Sequence, residues 1–266
     1  IIACSEMVGV SVITGGGTGI GAALAKRLAS HGQRVLIVGR RSGPLESTKA
    51  SNPESIQYVV ADIATTEGRH AVVQAVDTAP YTHLSSLVHN AGTLDPVKPL
   101  SDITEKEWRD AMAINVDAPL FLTQALLPKL KANPNDGVGA RVLHISSGAS
   151  QKPYRGWGAY CTSKAALNMV YRVLRDELKP LNIHVGSVRP GVVDTPMQDN
   201  VRESDPQAFP DLPRFKNLKE TGKLLLPEQV AIFLDWLLHK TTPEEFTHEE
   251  WDIRDHQHQH RWSTST

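Results

Sequence analysis

Short apolar runs rich in Val, Ile and Leu alternate along the chain with longer segments in which apolar residues recur at helical spacing. The runs have the length of buried strands, and the longer segments have the periodicity of amphipathic helices. The predicted strands are Val8–Thr14, Arg34–Gly39, Gln57–Ala61, Leu84–His89, Arg141–Ser146 and Ile183–Val188. The predicted helices are Ile20–His31, Pro44–Ser51, Glu67–Thr78, Glu105–Lys131 and a helix through Tyr160 to about Leu178. Because such alternation gives parallel pairing through right-handed crossovers, the pattern predicts an α/β fold with a doubly wound parallel sheet.

The composition suits one globular domain. The chain has 266 residues, of which 40% are hydrophobic and 21% are charged, and it contains no internal repeat or low-complexity block. We therefore expect a single domain over residues 1–266. A formal net charge of −1 gives no electrostatic reason to expect nucleic acid or an acidic membrane surface as a partner. No apolar run reaches the roughly 18 residues that a membrane helix needs.

Cysteine usage favours a reducing compartment. Cys4 and Cys161 are the two cysteines of the chain, too few for a disulfide framework. The opening Ile1–Cys4 lacks the basic flank of a secretory signal. We therefore expect a cytoplasmic protein.

The first predicted strand runs into a glycine-rich turn, TGGGTGIG, from Thr14 to Gly21. Glycines let the chain turn sharply and bring amide groups against a pyrophosphate at a helix N-terminus, where the helix dipole favours negative charge. A tight turn that binds no phosphate is the alternative. The turn has one more residue between its first glycines than the usual dinucleotide-binding fingerprint.

A second segment combines a hydroxyl, a phenol and an ammonium. Tyr160 and Lys164 are four residues apart, which places them on one face of a helix. A tyrosine titrates near pH ~10 in water, and a cation such as Lys164 would move its pKa toward the working range. Ser147 follows the predicted strand Arg141–Ser146, so the three groups together suit proton transfer to a carbonyl oxygen. Alone, the tyrosine and lysine also fit an ordinary amphipathic helix surface.

These motifs occur in an order that closely resembles the short-chain dehydrogenase/reductase family. They are the glycine-rich turn, Asn90-Ala91-Gly92, Asn115, Ser147, Tyr160 with Lys164, and Pro190-Gly-Val-Val-Asp-Thr195. The resemblance covers residues from about 8 to 240. It implies a Rossmann fold, hydride transfer between a nicotinamide cofactor and a small-molecule carbonyl substrate, and a homodimer or homotetramer.

The resemblance also implies a role for each residue. Tyr160 would be the catalytic acid or base, Lys164 would lower its pKa and hold the nicotinamide ribose, and Ser147 would orient the substrate carbonyl. Asn115 would support a water relay behind the lysine. The other residues implied in cofactor binding are Gly15, Gly17, Thr18, Gly19, Ile20, Gly21, Asp62, Ile63, Asn90, Ala91, Gly92, Pro190, Gly191, Val193 and Thr195.

The end of the second predicted strand indicates which nicotinamide cofactor is used. An acidic residue there would hold a ribose 2′-hydroxyl, whereas arginines attract a 2′-phosphate. The chain has Arg40 and Arg41 at this point and no carboxylate. We therefore predict NADP(H), with Arg40 as the leading phosphate ligand and Arg41 as the second; two solvated arginines are the alternative. Many NADP-dependent relatives also carry a basic residue in the glycine turn, where this chain has Thr18.

The segments around Ser147, Gly92 and Pro190 are similar to fungal benzil reductases that form (S)-benzoin and to sepiapterin reductases. This resemblance implies reduction of a ketone or diketone. The predicted substrate-binding residues are Ser147, Leu94, Tyr154, Trp157 and Met197. The two aromatic residues would either wall an apolar pocket or simply fill space near a helix start. Residues 197–226 would form a mobile flap over the site.

Two other functions remain open at this point. An NADP-dependent alcohol dehydrogenase that works mainly in the oxidative direction would use the same residues. A dinucleotide-sensing or scaffold protein that kept the fold and lost turnover would also have this fold.

Residues from about 241 to 266 are predicted to form a C-terminal tail, and its stretch from Asp255 to Trp262 is predicted to be flexible and solvated. Its alternate histidines, His256, His258 and His260, have no cysteine or carboxylate constellation around them, so no metal site is predicted. Asp252 could match an Asp that anchors the pterin in sepiapterin reductases, but a solvated aspartate is favoured. Cys161 lies about 100° around the helix from Tyr160, which favours a packed thiol.

Overall fold

A parallel sheet of seven strands forms the centre of the molecule. The computed structural model describes residues 9–133 and 138–263. The strands are β1 (Gly9–Thr14), β2 (Arg34–Gly39), β3 (Ile56–Val60), β4 (His83–His89), β5 (Ala140–Ile145), β6 (Ile183–Arg189) and β7 (Trp251–Asp252). Their order across the sheet is β3-β2-β1-β4-β5-β6-β7, with every neighbouring pair parallel. The predicted doubly wound sheet is therefore confirmed, and its order reverses between β1 and β4.

Helices cover both faces of this sheet. They are α1 (Gly19–Ser30), α2 (Ser42–Ala50), α3 (Thr66–Thr78), α4 (Glu105–Met112), α5 (Ala118–Lys131), α6 (Gly158–Leu178), α7 (Pro196–Arg202), α8 (Leu212–Glu220), α9 (Pro227–Lys240), α10 (Pro243–His248) and α11 (His256–Trp262). The predicted strands and helices lie within two residues of these bounds, except that Val8 falls outside the described residues. One helix prediction is wrong in detail, because a π-helical turn, Ala113–Asp117, separates α4 from α5 within Glu105–Lys131.

Alternate residues of each strand serve two separate cores. Ile13 packs with Leu24 of α1 and Phe233 of α9 on one face of the sheet. Its neighbour Val12 packs with Leu122 of α5 on the other face, because successive side chains of a strand point to opposite sides. Both faces are covered, which explains why the central strands read as continuous apolar runs.

The prediction of a flexible C-terminal tail is wrong as far as residue 263. After α9 the chain forms α10, β7 and α11, and β7 pairs with β6 at the sheet edge. Trp251 and Trp262 are buried and pack their rings 5.4 Å from Trp236 and 5.1 Å from Phe233 of α9, respectively. Burial of these aromatic side chains stabilises the segment, since each buried ring contributes roughly 2–3 kcal/mol. Residues 264–266 lie outside the described part.

No helix in residues 9–133 and 138–263 is long and apolar enough to cross a membrane.

Candidate active site

Two adjoining cavities open at the carboxyl ends of the strands, where the strand order reverses. The β5 cavity is lined by residues that follow β1, β4, β5 and β6 and by Tyr160 of α6. The β2 cavity is lined by residues that follow β2 and β3. Gly15, Ala91 and Gly92 line both cavities, so the two form one continuous cleft. This is where open parallel sheets bind ligands.

The glycine turn is tied to the end of β4 by Thr14. The Thr14 hydroxyl donates to the Val88 carbonyl at 3.2 Å and accepts from the amides of Asn90 (3.0 Å) and Ala91 (3.1 Å). Asn90 Nδ2 donates to the Thr14 carbonyl at 2.9 Å and to that of Gly15 at 3.2 Å. The sequence analysis gave Thr14 no role of its own, although a Thr at a strand end that opens a glycine turn is the signal that could have identified it.

Two glycines of the turn are required by their surroundings. Gly15 has φ of 68°, and a Cβ there would lie 2.8 Å from Asn90 Nδ2. Gly19 has φ of 53°, and a Cβ there would lie 2.9 Å from the Thr195 methyl group. Thr18, the N-cap residue of α1, makes no side-chain cap, so the first amides of α1 face the cleft for a ligand. An open helix N-terminus beside glycines fits a phosphate group.

The ends of β2 and β3 supply two arginines and an aspartate to the β2 cavity. Arg40 and Arg41 are exposed there, and within residues 9–133 and 138–263 neither side chain makes a hydrogen bond or an ion pair. Asp62 lines the same cavity and accepts from the Ala64 amide at 3.1 Å. Two unpaired guanidinium groups fit a phosphate ligand.

The structure brings Ser147, Tyr160 and Lys164 together in the β5 cavity. Ser147 follows β5 and begins a short 3-10 turn, with its hydroxyl accepting from the Ala149 amide at 3.2 Å. Tyr160 and Lys164 lie one turn apart on α6, and both side chains are buried. The Lys164 Nζ atom donates to the Ile145 carbonyl at 2.9 Å and lies 5.8 Å from the centre of the Tyr160 ring.

Burial is the main influence on the pKa values of Tyr160 and Lys164. Burial raises the pKa of the Tyr160 phenol, and a hydrogen bond with Ser147 acts in the opposite direction. Burial lowers the pKa of Lys164 to about 8, opposed by the negative charge of Glu250. Desolvation is therefore the largest influence on the phenol pKa, and the lowering of that pKa by Lys164 stays a prediction.

Asn115 is buried behind the cleft and does not line it. Its Oδ1 accepts from the Thr93 amide at 2.9 Å, and its Nδ2 donates to the Thr93 carbonyl at 2.9 Å. The same Nδ2 donates to Ser163 Oγ on α6 at 2.9 Å. The π-helical turn places this amide between the loop after β4 and the helix that carries Tyr160 and Lys164, so Asn115 fixes their relative positions.

All other predicted site residues except Gly21 line one of the two cavities. Those of the β5 cavity are Gly15, Thr18, Gly19, Ile20, Asn90, Ala91, Gly92, Leu94, Ser147, Tyr154, Trp157, Tyr160, Lys164, Pro190, Gly191, Val193, Thr195 and Met197. Those of the β2 cavity include Gly17, Arg40, Arg41, Asp62 and Ile63. Gly21 instead lies behind the turn, where a Cβ would come within 2.6 Å of Asn90 Nδ2.

Aromatic residues wall the outer part of the β5 cavity. Trp157 stacks on Phe209 with 4.6 Å between ring centres and meets Tyr160 edge-on at 5.8 Å. Tyr154 lies 5.1 Å from the Trp157 ring, and Phe215 of α8 lies 5.1 Å from it. The two aromatic residues predicted near Tyr160 thus both line the cavity and fill space. Sequence analysis missed Phe209 and Phe215, which are the two aromatic residues between α7 and the end of α8.

The predicted flap, residues 197–226, is built from α7, α8 and the chain around them. Its end is joined to the loop after β6, because the Asp194 amide donates to the Leu225 carbonyl at 2.8 Å. The Leu225 amide donates to the Val192 carbonyl at 3.0 Å. Met197, Gln198, Arg214 and Phe215 present side chains to the β5 cavity.

Asp252 is neither a solvated residue nor a wall of the cleft. Its carboxylate accepts from the Arg254 guanidinium at 2.8 and 2.6 Å and lies 3.4 Å from Arg189. Arg254, and not Asp252, lines the β5 cavity. The acidic residue therefore holds an arginine at the site, a role that sequence analysis missed because β7 places both residues there.

Cys161 and the histidines show no nucleophile or metal site. The half-buried Cys161 packs against the aromatic residues of the β5 cavity, and burial raises the pKa of its thiol. Across residues 9–133 and 138–263, no group of three or more His, Cys, Asp or Glu side chains is placed to hold a metal ion.

A doubly wound sheet with a glycine turn after β1 and a hydroxyl, phenol and ammonium after β5 defines a class of dinucleotide-binding proteins. A family model described as short chain dehydrogenase matches residues 9–206. The chain belongs to this short-chain dehydrogenase family, which confirms the resemblance read from the motifs.

Relatives include proteins named for carbonyl reduction. A benzil reductase ((S)-benzoin forming) of Bacillus cereus is 35% identical over 229 residues, which cover 83% of this chain and 90% of the relative. A sepiapterin reductase of Xenopus tropicalis is 33% identical over 80% of this chain and 85% of the relative. The crystal structure of L-sorbose reductase from Gluconobacter frateurii, complexed with NADPH and L-sorbose, superposes with a TM-score of 0.79 at 25% identity, covering 93% and 95% of the two chains.

Proposed function

We propose that the protein is an NADPH-dependent carbonyl reductase that transfers hydride to a ketone or diketone. The observation that carries this proposal is the convergence of Ser147, Tyr160 and Lys164 on one cavity beside the open N-terminus of α1. Relatives named benzil reductase and sepiapterin reductase support the choice of carbonyl compounds.

The side chains divide the work of the reaction. When bound, NADPH supplies the hydride that reduces the carbonyl carbon. Ser147 donates a hydrogen bond to the carbonyl oxygen, and Tyr160 donates its phenolic proton to the same oxygen as negative charge develops there. Lys164 is the cation from which Tyr160 regains a proton, and Asn115 keeps the lysine helix in place through Ser163.

Burial raises the pKa of Tyr160, which suits the phenol to donate its proton to a carbonyl oxygen. An alcohol dehydrogenase working in the oxidative direction would use the same group as a base, so the direction of turnover has to be measured to separate the two functions.

Arg40 and Arg41 support NADPH as the cofactor. Their unpaired guanidinium groups follow β2, where the adenosine ribose of a dinucleotide lies in such folds, and no carboxylate follows β2 before α2. Gly15, Gly19 and the uncapped α1 N-terminus would hold the pyrophosphate.

We also propose a homo-oligomer that pairs through α5 and α6. Phe121, Met169 and Val173 are large apolar side chains that these helices leave exposed, and such residues are typical of subunit contacts. Light scattering after size exclusion should give at least a dimer, which replacement of Met169 by Glu should weaken; a monomer would contradict the proposal.

The experiment that tests the function is NADPH consumption, followed by absorbance, with benzil, an aliphatic 1,2-diketone, an aryl ketone and sepiapterin. Turnover with NADPH exceeding that with NADH would support the proposal. Preference for NADH would overturn the cofactor assignment, and turnover only of alcohols with NADP⁺ would favour a dehydrogenase. NADPH binding without turnover of any compound would favour a dinucleotide sensor.

A further inference from the structure

The charged side chains that line the β5 cavity are all positive, and proton and hydride transfer do not require all of them. The ionisable cations that line it are Lys164, Arg214 and Arg254, and no Asp or Glu of residues 9–133 and 138–263 lines it. Lys164 serves the reaction, which leaves two arginines without a catalytic role. A cleft lined by one sign of charge concentrates ligands of the opposite sign.

Arg254 is held in one orientation by Asp252. The Arg254 Nε and Nη2 atoms donate to the two oxygens of Asp252 at 2.8 and 2.6 Å. The Arg254 side chain is still 57% exposed, and its Nη1 atom makes no hydrogen bond within the described residues. A fork fixed on one side by a carboxylate presents its remaining N–H donors at a defined place, although its charge is largely compensated by Asp252.

Arg214 has the opposite character. It projects from α8 of the flap segment and is exposed, and its guanidinium group makes no hydrogen bond or ion pair with residues 9–133 or 138–263. Its guanidinium carbon lies 5.7 Å from the ring centre of the adjacent Phe215. Arg202 of the same segment, by contrast, pairs with Asp199. Arg214 therefore contributes an uncompensated charge, and Arg254 contributes fixed donors.

We propose that the carbonyl substrate carries a carboxylate, received by Arg214 and Arg254, and that its apolar or aryl body lies against Tyr154, Trp157 and Phe215. The substrate class is thus an aryl oxo acid, whose keto group meets Ser147 and Tyr160. This inference rests on the proposed carbonyl reduction. It narrows the substrate class from ketones in general to ketones that carry a negative charge. The reaction is otherwise unchanged: hydride adds to the keto carbon, and a proton adds to its oxygen.

The turnover test uses three oxo acids of increasing length, each beside its neutral methyl ester: phenylglyoxylate, 3-oxo-3-phenylpropanoate and 4-oxo-4-phenylbutanoate. One acid should exceed its ester in kcat/KM by about tenfold, as expected for hydrogen bonds to a charged group. R214Q and R254Q should each remove most of that preference, measured as the ratio of kcat/KM for the acid to kcat/KM for its ester. Raising ionic strength should reduce the preference more in wild type than in R214Q, because only Arg214 acts through free charge.

K216Q is the matched control. Lys216 lies on α8 two residues after Arg214, is exposed, and does not line the cleft. Its loss removes the same charge from the same helix and should leave the acid preference intact. An equal loss in K216Q would mean that general surface charge, not the arginine pair, causes the preference, and would overturn the inference.

Binding without turnover separates this inference from the proposed function. Calorimetry should show phenylacetate binding more tightly than neutral phenylacetamide, with the difference lost in R214Q and kept in K216Q. Equal binding of both probes, or turnover of esters and benzil with no preference for acids, would overturn the inference and leave carbonyl reduction standing. Tight acid binding with no carbonyl turned over would contradict the proposed function alone.

Discussion

The two halves of the cleft are assembled in different ways. The nucleotide half, which comprises the β2 cavity and the glycine turn, consists mainly of short segments that follow β1 to β4, and residues of α4 and α7 complete its wall. Hydrogen bonds between side chains and the backbone fix it, as between Asn90 Nδ2 and the Thr14 carbonyl at 2.9 Å. The substrate half collects side chains from the loop after β4, the start of α6, the flap segment and the residue stretch after β7.

This difference separates what the fold imposes from what the chain can vary. Any doubly wound sheet brings its strand ends to one edge, so the nucleotide half follows from topology. The substrate half depends on how Phe215, Arg214 and Arg254 pack onto that edge from distant parts of the chain. Specificity can therefore change through α8 and the C-terminal segment, neither of which lines the nucleotide half.

Removing the hydroxyl of Tyr160 should have the largest effect of these changes, and that effect should be limited to the substrate half. Tyr160→Phe keeps the ring that meets Trp157 and deletes the proton donor, so kcat should fall by about 10²- to 10⁴-fold. NADPH affinity, measured by fluorescence titration, should stay within about twofold of wild type.

Tyr171→Phe is the control for that variant. Tyr171 is buried on the same helix but lies outside both cavities, so its change should leave kcat unaltered. Retention of turnover in Tyr160→Phe would show that the phenol is not the proton donor.

Replacing Arg40 should affect only the nucleotide half. In Arg40→Asp a carboxylate would repel the 2′-phosphate and accept from a ribose hydroxyl, so the ratio of kcat/KM for NADPH to that for NADH should fall by about 10- to 100-fold. Arg41→Asp should lower the same ratio less. An unchanged ratio in both variants would mean that the arginines are merely solvated.

Thr14→Val tests whether the Thr14 hydroxyl holds the nucleotide half together. Valine fills the same space but leaves the Ala91 amide without its acceptor and the Asn90 amide with the Val88 carbonyl alone, which should cost about 1–3 kcal/mol of unfolding free energy. NADPH affinity should fall with it. Thr247→Val, which removes a hydroxyl hydrogen-bonded to a carbonyl within α10, is the control and should lower the unfolding free energy by no more than about 0.5 kcal/mol. An equal loss in the two variants would show that the Thr14 hydroxyl contributes no more to stability than an ordinary helix hydroxyl.

The same division explains what could be predicted from the sequence. The apolar runs fixed the strands closely, and Arg34–Gly39 was predicted with its observed bounds, because burial on both faces imposes that pattern. Ser147 and Arg40 were found because they directly follow strands. Arg214 and Arg254 could not be found, since only tertiary packing brings α8 and the residues after β7 to the cleft.

Two further misses have local causes. The π-helical turn at Asn115 follows from hydrogen bonds with Thr93 and Ser163, 22 and 48 residues away, which helical periodicity does not record. The C-terminal segment looks polar, with alternating His and Gln, yet Trp251 and Trp262 anchor it on α9. A few large aromatic residues outweighed the average polarity of the stretch.

Acid should destabilise the sheet beneath the substrate half. His144 of β5 is buried 4.9 Å from the ring of His89, and burial lowers its pKa to about 3. In the unfolded chain a histidine titrates near pH ~6.5, so from there down toward pH 3 the unfolded state binds more protons. Stability should therefore fall by about 1.4 kcal/mol per pH unit for this residue once pH is well below ~6.5.

Denaturant unfolding at pH 7.5 and 5 would measure that loss. His144→Asn should reduce the difference between the two pH values, whereas His256→Asn, at an exposed site of α11, should leave it as in wild type. The same pH dependence in all three proteins would show that His144 does not cause it.

The smallest expected effect concerns Glu250, a residue of the C-terminal segment whose charge acts on Lys164, the proposed source of the proton. Its buried carboxylate accepts from Ser187 and Asn168 at 3.0 Å each, and its charge opposes the burial that lowers the pKa of Lys164 to about 8. Glu250→Gln keeps the side-chain shape but removes the charge, so the lysine should lose its proton at lower pH. The alkaline limb of the kcat/KM profile for carbonyl reduction should move to lower pH, with kcat at pH 6.5 changed by no more than about twofold. An alkaline limb at the same pH as in wild type would show that the C-terminal segment shapes the substrate half but does not affect the protonation of Lys164.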